Sequence, residues 1–446
     1  RDLRMSRGLG DVYKRQCLEG VKTPFLEHKI LINNFSTIPE GCYQPEELDK
    51  LVPDISLNNT TPLPEVSIEE EDIASIIYTS GTTGFSKGVV LTHKNLVWDA
   101  RQCHTIQPVD ETYRFLSILP MAHTYENTLG LLLPLMFGAQ VYYLDRVPTP
   151  KLLVPAMQKI RPTVVLSVPL IIEKIYKSQV LPKFTSSKLM SKLYQFAPAR
   201  KLFNRLAGKK LMETFGGELK FFGIGGSKLD GTVEQFLREA KFPYAIGYGL
   251  TETAPMAAGS NPSQTFLQGV GPVMEGVQIK INDPDKSGQG EIWIKGPNVM
   301  KGYYKRPELT AETFTEDGWF KTGDLGSFDK KNRLAIRGRI KTMILGASGE
   351  NIYPEEIEDH LNNLPYVCES IVVEKEGKLT ALIYPDFEAI NADNKNSDEA
   401  IAAIMEENRK QINETLPAYS QIAKVTIYNE EFEKTPKKSI KRFLYQ

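Results

Sequence analysis

The sequence contains few cysteines and no excess of charge, and both features limit what the protein can be. Cys17, Cys42, Cys103 and Cys368 show no Cys-x-x-Cys or metal-ligand spacing, and the five histidines are scattered. No zinc motif is therefore present, and the pattern is typical of a reducing, cytoplasmic compartment. The formal net charge is −1 over 446 residues. A chain with this balance has no global basic field, so we predict no nucleic-acid partner.

Long apolar runs are also missing. The most apolar stretch, residues 128–144, is interrupted by Gly130, Pro134 and Gly138. A helix needs about 20 consecutive apolar residues to cross a bilayer, so we predict no membrane span here. A core helix followed by a strand at Val141–Leu144 is the better interpretation of this stretch.

The common nucleotide and nucleophile motifs are absent as well. The sequence has no Gly-x-x-x-x-Gly-Lys-Ser/Thr and no Gly-x-Gly-x-x-Gly, which excludes a Walker loop and the dinucleotide fingerprint. It also lacks Gly-x-Ser-x-Gly, since Gly346–Glu350 misses that pattern at its last position. A serine nucleophile on a hydrolase-type elbow is therefore not predicted.

The sequence does contain a dense loop of glycines, hydroxyl side chains and one lysine at residues 78–88, Tyr-Thr-Ser-Gly-Thr-Thr-Gly-Phe-Ser-Lys-Gly. The apolar runs Asp72–Ile77 and Val89–Leu91 flank it and predict a strand–loop–strand hairpin, with Thr92 as the N-cap of a following helix. Glycines let successive backbone N–H groups converge on an anion, and Lys87 adds a positive charge. The loop therefore predicts a triphosphate cradle, and a flexible turn is the alternative.

Four further regions follow this loop in a fixed order. They are Leu119–Glu126, Gly247–Thr253, Gly290–Tyr304 with Lys321–Leu325, and Gly338–Glu358. Together with the loop they resemble the signatures of the adenylate-forming superfamily, which includes acyl-CoA synthetases, luciferases and peptide-synthetase adenylation domains. The resemblance runs from about residue 70 to the end of the sequence.

The resemblance implies an α/β fold with two domains. We expect a large N-terminal domain of mixed α/β subdomains over residues 17–338, with the acyl-adenylate synthetase fold. A small, mobile α+β C-terminal domain is expected over residues 339–446, with its hinge at Lys341. The basic segment 1–16 matches nothing expected of the family, so we predict a non-native or disordered tail there. Because the phosphate loop comes early, an N-terminally truncated chain is also predicted.

The same resemblance implies an ATP site and its ligands. The predicted ATP-binding residues are Thr79, Ser80, Gly81, Thr82, Thr83, Gly84, Lys87, Gly247, Tyr248, Gly249, Asp324 and Arg339. Within this set Tyr248 offers a flat face for adenine, with a core tyrosine as the alternative, and Asp324 is the candidate for the ribose hydroxyls. Thr251 and Glu252 are predicted catalytic residues, at the α-phosphate and as the Mg²⁺ ligand respectively.

The C-terminal motif departs from the superfamily pattern. Residues 434–442 read Lys-Thr-Pro-Lys-Lys-Ser-Ile-Lys-Arg, so alignment without gaps puts Ser439 where a catalytic lysine is expected. Lys438 is our candidate for that role, with Lys437 and Lys441 as alternatives. A plain basic tail accounts equally well for each of these lysines.

The substrate implied by the resemblance is a long-chain fatty acid, with ATP, Mg²⁺ and CoA as the other reactants. His123, Gly225 and Gly226 are predicted to line the acyl site. An aryl or medium-chain acid remains an alternative, because apolar pockets discriminate weakly between chain lengths. Two other functions stay open: an acyl-AMP synthetase that loads a carrier protein, and a catalytically weak paralogue that binds nucleotide or lipid.

The segment Lys183–Lys210 is basic and has a helical pattern. A solvated helical hairpin is the simpler interpretation. Peripheral contact with the inner face of a membrane is the alternative.

Overall fold

The computed structural model describes residues 30–31, 36–37, 67–80, 86–144, 148–185, 187–345, 350–393, 395, 397–434 and 440–445. The strands in these ranges are β1 (Ile30–Leu31), β2 (Ser36–Thr37), β3 (Ile73–Ser80), β4 (Ser86–Thr92), β5 (Arg114–Ser117), β6 (Gln140–Tyr143), β7 (Val164–Ser167), β8 (Phe221–Ile224), β9 (Tyr244–Gly249), β10 (Met256–Gly259), β11 (Gln278–Asn282), β12 (Gly290–Lys295), β13 (Gly302–Tyr303), β14 (Phe320–Phe328), β15 (Leu334–Arg339), β16 (Ile344–Leu345), β17 (Asn351–Ile352), β18 (Val367–Lys375), β19 (Lys378–Pro385) and β20 (Lys424–Ile427).

The α-helices are α1 (His93–Ile106), α2 (Leu133–Met136), α3 (Pro150–Ile160), α4 (Pro169–Ile175), α5 (Leu181–Thr185), α6 (Lys188–Gln195), α7 (Ala197–Thr214), α8 (Gly231–Glu239), α9 (Pro307–Thr313), α10 (Pro354–Leu361), α11 (Phe387–Ala392) and α12 (Asp398–Asn413). Wider π-helical turns at Glu126–Leu132 and Tyr176–Val180 lead into α2 and α5. No helix of the described chain combines the length and the apolar character that crossing a bilayer requires.

The hairpin predicted around the phosphate loop is confirmed. β3 and β4 pair antiparallel, and their register sets Thr79 opposite Lys87. Thr92 then caps α1, because its Oγ1 accepts a hydrogen bond from the Asn95 N–H at 3.2 Å while Asn95 Oδ1 accepts one from the Thr92 N–H at 2.9 Å. The short strand β13 adds to the other edge of β4. The hairpin therefore has a third strand, which the sequence pattern does not indicate.

A six-stranded sheet in the order β10-β9-β8-β7-β5-β6 forms the centre of the large domain. Five neighbouring strands of this sheet run parallel, namely β9, β8, β7, β5 and β6. The edge strand β10 is antiparallel to β9. The α/β fold expected for the large domain is thereby confirmed. In a parallel sheet the segments that follow the strands meet at one edge, where ligands bind. The segments carrying His123, Gly225 and Glu252 all follow strands of this sheet.

A second, antiparallel sheet of order β11-β12-β14-β15 carries the predicted ribose residues. Asp324 lies within β14, directly opposite Arg339 of β15. The Thr-Gly-Asp string makes an irregularity inside the strand rather than a turn, since Gly323 takes the positive φ of 72° and the β12–β14 register shifts beside it.

The buried apolar residues form separate cores. The largest runs from Val89 to Leu334 and includes the fully buried Phe222, which meets Phe215 and Phe242 edge-on at 5.4 Å between ring centroids. Burying one such ring contributes about 1.5–3 kcal/mol. Two smaller cores lie beyond residue 350, around β18, β19, α10 and α12. The fold is therefore a large mixed α/β domain followed by a smaller α+β one.

Candidate active site

The predicted phosphate side of the site begins where β3 and β4 meet their connecting loop. Thr79 is buried, and its Oγ1 has no hydrogen-bond partner among the described residues. Lys87 lies across from it on β4. The predicted residues Gly81, Thr82, Thr83 and Gly84 lie outside the described residues, as does the side chain of Ser80. Their role in phosphate binding stays a prediction.

Lys87, Glu252 and Tyr303 form one cluster at this end of the hairpin. Lys87 Nζ lies 3.0 Å from Glu252 Oε1. The Tyr303 hydroxyl donates to the same oxygen at 2.8 Å and accepts a hydrogen bond from Lys87. The lysine also lies over the tyrosine ring, 4.2 Å from its centroid. These three groups come from β4, the turn after β9, and β13.

The electrostatics of this cluster keep Glu252 ionised. Burial alone would raise its pKa, but the charge of Lys87 and hydrogen bonds from Lys87 and Tyr303 lower the pKa below its ordinary value. An ionised carboxylate 6% exposed, beside a lysine and a hydroxyl, suits a site that receives a metal ion together with phosphate oxygens. In the described chain no group of three or more His, Cys, Asp or Glu side chains could hold a metal ion by itself. A Mg²⁺ ion held by Glu252 would thus take its other ligands from water and substrate oxygens.

A set of backbone contacts fixes the turn that carries Thr251 and Glu252. The Met300 N–H donates to the Glu252 carbonyl oxygen at 2.9 Å. The buried Asn298 amide donates to the Thr253 carbonyl oxygen at 3.1 Å. Asn95, which caps α1, donates in turn to the carbonyl oxygen of Val299 at 2.9 Å. One segment, residues 297–300, therefore ties the start of α1 to the turn of Glu252.

A second cluster joins Tyr248, Asp324 and Arg339. The Tyr248 hydroxyl donates to Asp324 Oδ2 at 2.9 Å, and Arg339 Nε lies 3.0 Å from Asp324 Oδ1. Tyr248 is 8% exposed. Its adenine-stacking role stays a prediction, but the hydroxyl has a defined structural partner. The sequence thus identified three residues that the fold brings together from β9, β14 and β15.

The carboxyl group of Asp324 differs from that of Glu252. Burial raises its pKa, and the negative charges of Glu252 and Glu355 add to this, so the opposing effects of Arg339 and Tyr248 do not restore the ordinary pKa. Support for Asp324 comes from the Thr322 hydroxyl, which accepts a hydrogen bond from the Asp324 N–H at 3.0 Å.

The third part of the site surrounds the predicted acyl residues. His123 Nδ1 accepts a hydrogen bond from the Tyr125 N–H at 3.3 Å. The Tyr125 ring then lies against Gly223 and Gly225, where a Cβ would come within 2.7 Å of the Tyr125 hydroxyl and 3.4 Å of its ring. Gly226 follows with a positive φ of 90°. The predicted residues on the two segments are therefore brought together, and Tyr125 fills the space left by the glycines.

An apolar cavity lies beside Tyr125, between the central sheet and the α1 and π-helical segment. Its cavity volume is about 60 Å³, and the space rises to about 560 Å³ when open solvent at the mouth is counted. The walls include Ile106, Val109, Phe115, Leu129, Leu133, Leu166, Gly223, Gly247 and Met256. Because Gly247 directly precedes Tyr248, one wall of the cavity is continuous with the second cluster. The sequence did not predict this cavity, since its walls come from five segments with no common motif.

The structure describes the predicted hinge residue Lys341 but not the candidate catalytic lysine Lys438. Lys341 lies in a 3₁₀ turn, Ile340–Thr342, between the two domains. Its role as a hinge and the domain boundary beside it stay predictions. Lys438, the candidate catalytic lysine, and Lys437, one of its alternatives, lie outside the described residues. Lys441, the other alternative, forms an ion pair with Glu433 at 3.0 Å.

Tyr303 is a residue of the site that the sequence analysis did not single out. It lies at the end of the motif region Gly290–Tyr304, and its hydroxyl donates a hydrogen bond to Glu252. The reason is strand pairing: β13 joins β4, with Tyr303 opposite Val89, and does not join β14. A tyrosine beside a positive-φ glycine was the only local signal.

Comparison with known proteins agrees with this arrangement. The family model described as "AMP-binding enzyme" matches residues 14–304, and "AMP-binding enzyme C-terminal domain" matches residues 341–445. The chain belongs to the AMP-binding enzyme family. The predicted resemblance to adenylate-forming enzymes is therefore confirmed.

Among curated members, the Drosophila melanogaster long-chain-fatty-acid–CoA ligase heimdall is 32% identical over 82% of this chain and 56% of the relative. The Arabidopsis thaliana chloroplastic long-chain-fatty-acid–[acyl-carrier-protein] ligase AEE15 is 29% identical over 84% of this chain and 59% of the relative. The chain thus spans little more than half the length of these relatives.

Among solved structures, ATP-bound MatB from Rhodopseudomonas palustris matches with a TM-score of 0.68 and 24% identity, covering 86% of this chain and 69% of that one. At this identity the match supports the fold alone. The two-domain AMP-binding architecture inferred from the sequence is thereby confirmed.

Proposed function

We propose that this AMP-binding enzyme activates a long-chain fatty acid with ATP and transfers the acyl group to CoA. In the first step a carboxylate oxygen of the fatty acid bonds to the α-phosphorus of ATP, and the bond to pyrophosphate breaks. In the second step the CoA thiolate attacks the acyl carbonyl, and AMP leaves. The nucleophiles come from the substrates, which agrees with the absence of a serine-elbow motif in the sequence.

The observation that carries the proposal is the apolar cavity beside Gly247 and Tyr125. A fatty acyl chain needs an apolar volume that ends at a polar reaction centre. The cavity walls are almost entirely aliphatic and aromatic, and they continue into the strand that bears Tyr248. Relatives whose names specify long-chain fatty acids support the same substrate class.

Each of the two polar clusters would bind a different part of ATP. Lys87 and the hydroxyl of Thr79 are suited to the β- and γ-phosphates, and Thr251 to the α-phosphate. Asp324 and Arg339 would hold the ribose. Holding the reactants in line and neutralising the phosphoryl charge are what this reaction requires of a protein.

Mg²⁺ fits the residues that are present. Glu252 is the buried, ionised carboxylate at the phosphate side, and its pKa lies below the ordinary value. When bound, the ion would neutralise charge on the phosphate oxygens. Lys87 and Tyr303 would orient the Glu252 carboxylate, because both contact its Oε1.

The acyl acceptor has a second candidate. AEE15 carries an acyl-carrier-protein ligase name at 29% identity, close to the identity of the CoA ligases. A carrier-protein thiol would react with the same acyl-AMP. We favour CoA because a CoA ligase name such as that of heimdall comes with slightly higher identity. The compartment we propose is the cytoplasm, since Cys103 and Cys368 are both free thiols.

Pyrophosphate release tests the proposal directly. The purified chain is given Mg-ATP and palmitate, with CoA, with holo-carrier protein, or with neither. We expect release that depends on palmitate, and palmitoyl-CoA only when CoA is present. Thioester on the carrier protein alone would support the second candidate. Binding of ATP with no release under any condition would contradict both and would favour a binding paralogue.

The cavity supplies a sharper test of substrate class. Ile106→Trp and Ser260→Leu each place extra volume against the cavity, so we expect the preferred substrate to shift from palmitate toward octanoate or decanoate. Val141→Trp, on a partly buried core position outside the cavity, is the matched control. If both filling variants keep the chain-length preference of the parent, the cavity is not the acyl site.

A further inference from the structure

The helices α6 and α7 present large apolar side chains to solvent. The exposed side chains and their exposed fractions are Leu189 71%, Leu193 41%, Phe196 63%, Leu202 57% and Leu206 61%. We call the surface formed by these five residues the α6–α7 outer face. Side chains four residues apart lie on one side of a helix, so the leucine pairs form one stripe on each helix, with Phe196 in the turn between them.

Other side chains of α6 and α7 make contacts with each other and with neighbouring helices. The Tyr194 hydroxyl donates to Asn204 Oδ1 at 2.8 Å, and the Tyr194 ring stacks on Phe184 with centroids 4.7 Å apart. Arg200 pairs with Glu239 of α8 at 2.9 Å. The helices are therefore docked on the large domain by their polar and aromatic residues. The exposed leucines take no part in these contacts.

The charge of this segment has one sign. Residues 183–210 contain eight basic and no acidic side chains: Lys183, Lys188, Lys192, Arg200, Lys201, Arg205, Lys209 and Lys210. Of these, Lys183, Lys192, Lys201, Arg205, Lys209 and Lys210 are exposed. No carboxylate of the described residues lies within ion-pair distance of Lys192, Lys201, Arg205, Lys209 or Lys210. Arg205 and Lys209 follow Leu202 by three and seven residues, so they flank the leucine stripe of α7.

We propose that the α6–α7 outer face docks the protein on an anionic lipid bilayer. Exposed leucine and phenylalanine side chains would enter the boundary between headgroups and acyl chains, and the surrounding lysines and arginines would meet lipid phosphates. A second copy of this face fits less well, because two surfaces of the same positive charge repel each other. A nucleic acid would use the charge but gives no reason for five exposed apolar side chains.

Docking would bring the large domain to the surface where fatty acids partition. The inference itself rests on the exposure and charge of α6 and α7, and it does not depend on the proposed ligase reaction. Its test therefore measures binding without nucleotide, CoA or added fatty acid. Failure of the docking surface and failure of the proposed reaction are then seen in different experiments.

Vesicle flotation of the purified chain tests the proposal. The vesicles are phosphatidylcholine alone, or phosphatidylcholine with about a third phosphatidylglycerol, each at low and high salt. We expect at least about tenfold stronger binding to the anionic vesicles, weakened by salt, because each basic residue near such a surface adds favourable energy that ions screen. Equal binding to both vesicle types, or binding to neither, overturns the proposal.

Two sets of variants assign the binding to this surface. Leu189→Ser with Leu202→Ser removes apolar contact, and Lys201→Glu with Arg205→Glu and Lys209→Glu reverses charge; each set is expected to reduce binding at least about tenfold. Matched controls carry the same changes at exposed positions elsewhere: Ile68→Ser with Leu267→Ser, and Lys286→Glu with Lys330→Glu and Lys331→Glu.

The altered residues are all exposed, so the thermal midpoints are expected to stay close to that of the parent. Parent-like vesicle binding by both α6–α7 sets overturns the proposal. So does loss of binding in the controls to the same extent. A dimer in solution that the leucine variants abolish, with no vesicle binding by the parent, would assign the face to self-association instead.

Discussion

Glu252 and Asp324 have similar surroundings and opposite protonation behaviour. They are 6% and 4% exposed, so both are buried carboxylates. Each faces one cation and one tyrosine hydroxyl: Lys87 and Tyr303, or Arg339 and Tyr248. The pKa of Glu252 nevertheless lies below its ordinary value, whereas the pKa of Asp324 lies above it.

The difference follows from how closely each cation engages its carboxylate. Lys87 contributes both charge and a hydrogen bond to Glu252, and its side chain is 28% exposed. Arg339 contributes charge to Asp324, but its side chain is 50% exposed, so water weakens the attraction. The negative charge of Glu252 also raises the pKa of Asp324. The contacts of Glu252 are therefore sufficient to stabilise its ionised form. The contacts of Asp324 are not, so a further hydrogen-bond donor, such as a ribose hydroxyl, would stabilise its ionised form.

Of the substitutions at the two carboxylates, Glu252→Gln should have the largest effect on activity. The change removes the charge that would hold Mg²⁺ and leaves Lys87 without its partner, so we expect pyrophosphate release to fall about a hundredfold or more. Steady-state rates with saturating Mg-ATP measure it. Glu234→Gln is the control, because Glu234 is also a fully buried glutamate but bonds Tyr244 and Gln268 away from the site. A loss of less than about threefold in Glu252→Gln would remove the metal role.

Asp324→Asn should act on nucleotide binding. Loss of charged hydrogen bonds to the ribose is expected to raise the KM for ATP about tenfold to a hundredfold, with a smaller effect on kcat. The control is Asp329→Asn, which breaks a pair with Arg333 in the turn after β14. Equal effects of the two substitutions on the KM for ATP would contradict the ribose assignment.

The raised pKa of Asp324 also sets a direction for stability. A carboxyl whose folded pKa exceeds its unfolded pKa binds more protons in the folded state between those values. Its contribution to the free energy of unfolding therefore falls as pH rises through that interval. The Asn variant lacks this fall, so its stability relative to the parent should improve between acid and neutral pH. Urea titrations across that range measure it.

Lys87→Met should change the stability contribution of Glu252. In the parent this contribution is present above the unfolded carboxyl pKa and is lost as pH falls through the lowered folded pKa. Without Lys87 the folded pKa rises, so the variant should be destabilised by a few degrees at pH 7 and by less below about pH 4. Lys301→Met, on an exposed lysine near the same strands, is the control. A midpoint difference that does not vary with pH would show that Lys87 acts by packing alone.

Tyr303→Phe and Tyr248→Phe form the finest test, because each removes one hydroxyl from one carboxylate. Loss of a hydrogen bond of this kind costs about 1 kcal/mol, which corresponds to a several-fold effect. We expect Tyr303→Phe to lower kcat and Tyr248→Phe to raise the KM for ATP. The reverse pattern in steady-state kinetics would mean that the phosphate and ribose sides have been exchanged.

Local features of the site were predictable because short-range chemistry determines them. The glycine-rich loop between two apolar runs predicted the β3–β4 hairpin, and Thr92 predicted the start of α1. The motif resemblance predicted the α/β fold, and the central sheet has the mixed order and mainly parallel pairing of such a fold. The motif resemblance added Tyr248, Asp324 and Arg339, which the fold joins.

Long-range pairings were not predictable from the same signals. The contact between Tyr303 and Lys87 depends on β13 joining β4, and nothing in a two-residue strand specifies that partner. The apolar cavity beside Tyr125 likewise depends on packing between distant segments. The exposed leucines of α6 and α7 have the same helical spacing as core residues, so only the fold shows which side faces solvent.

The hydrogen bond between Lys87 and Tyr303 joins residues 216 positions apart. On a ribosome that adds 5–20 residues per second, roughly 10–40 s separate the appearance of the two side chains. Lys87 and Glu252 can meet before then, but the third member of their cluster arrives with a strand made much later. Synthesis that stops before β13 therefore yields a chain whose phosphate-side carboxylate lacks its tyrosine. Completion of the site is thus a late event in the making of the protein, and interrupted products are expected to be inactive.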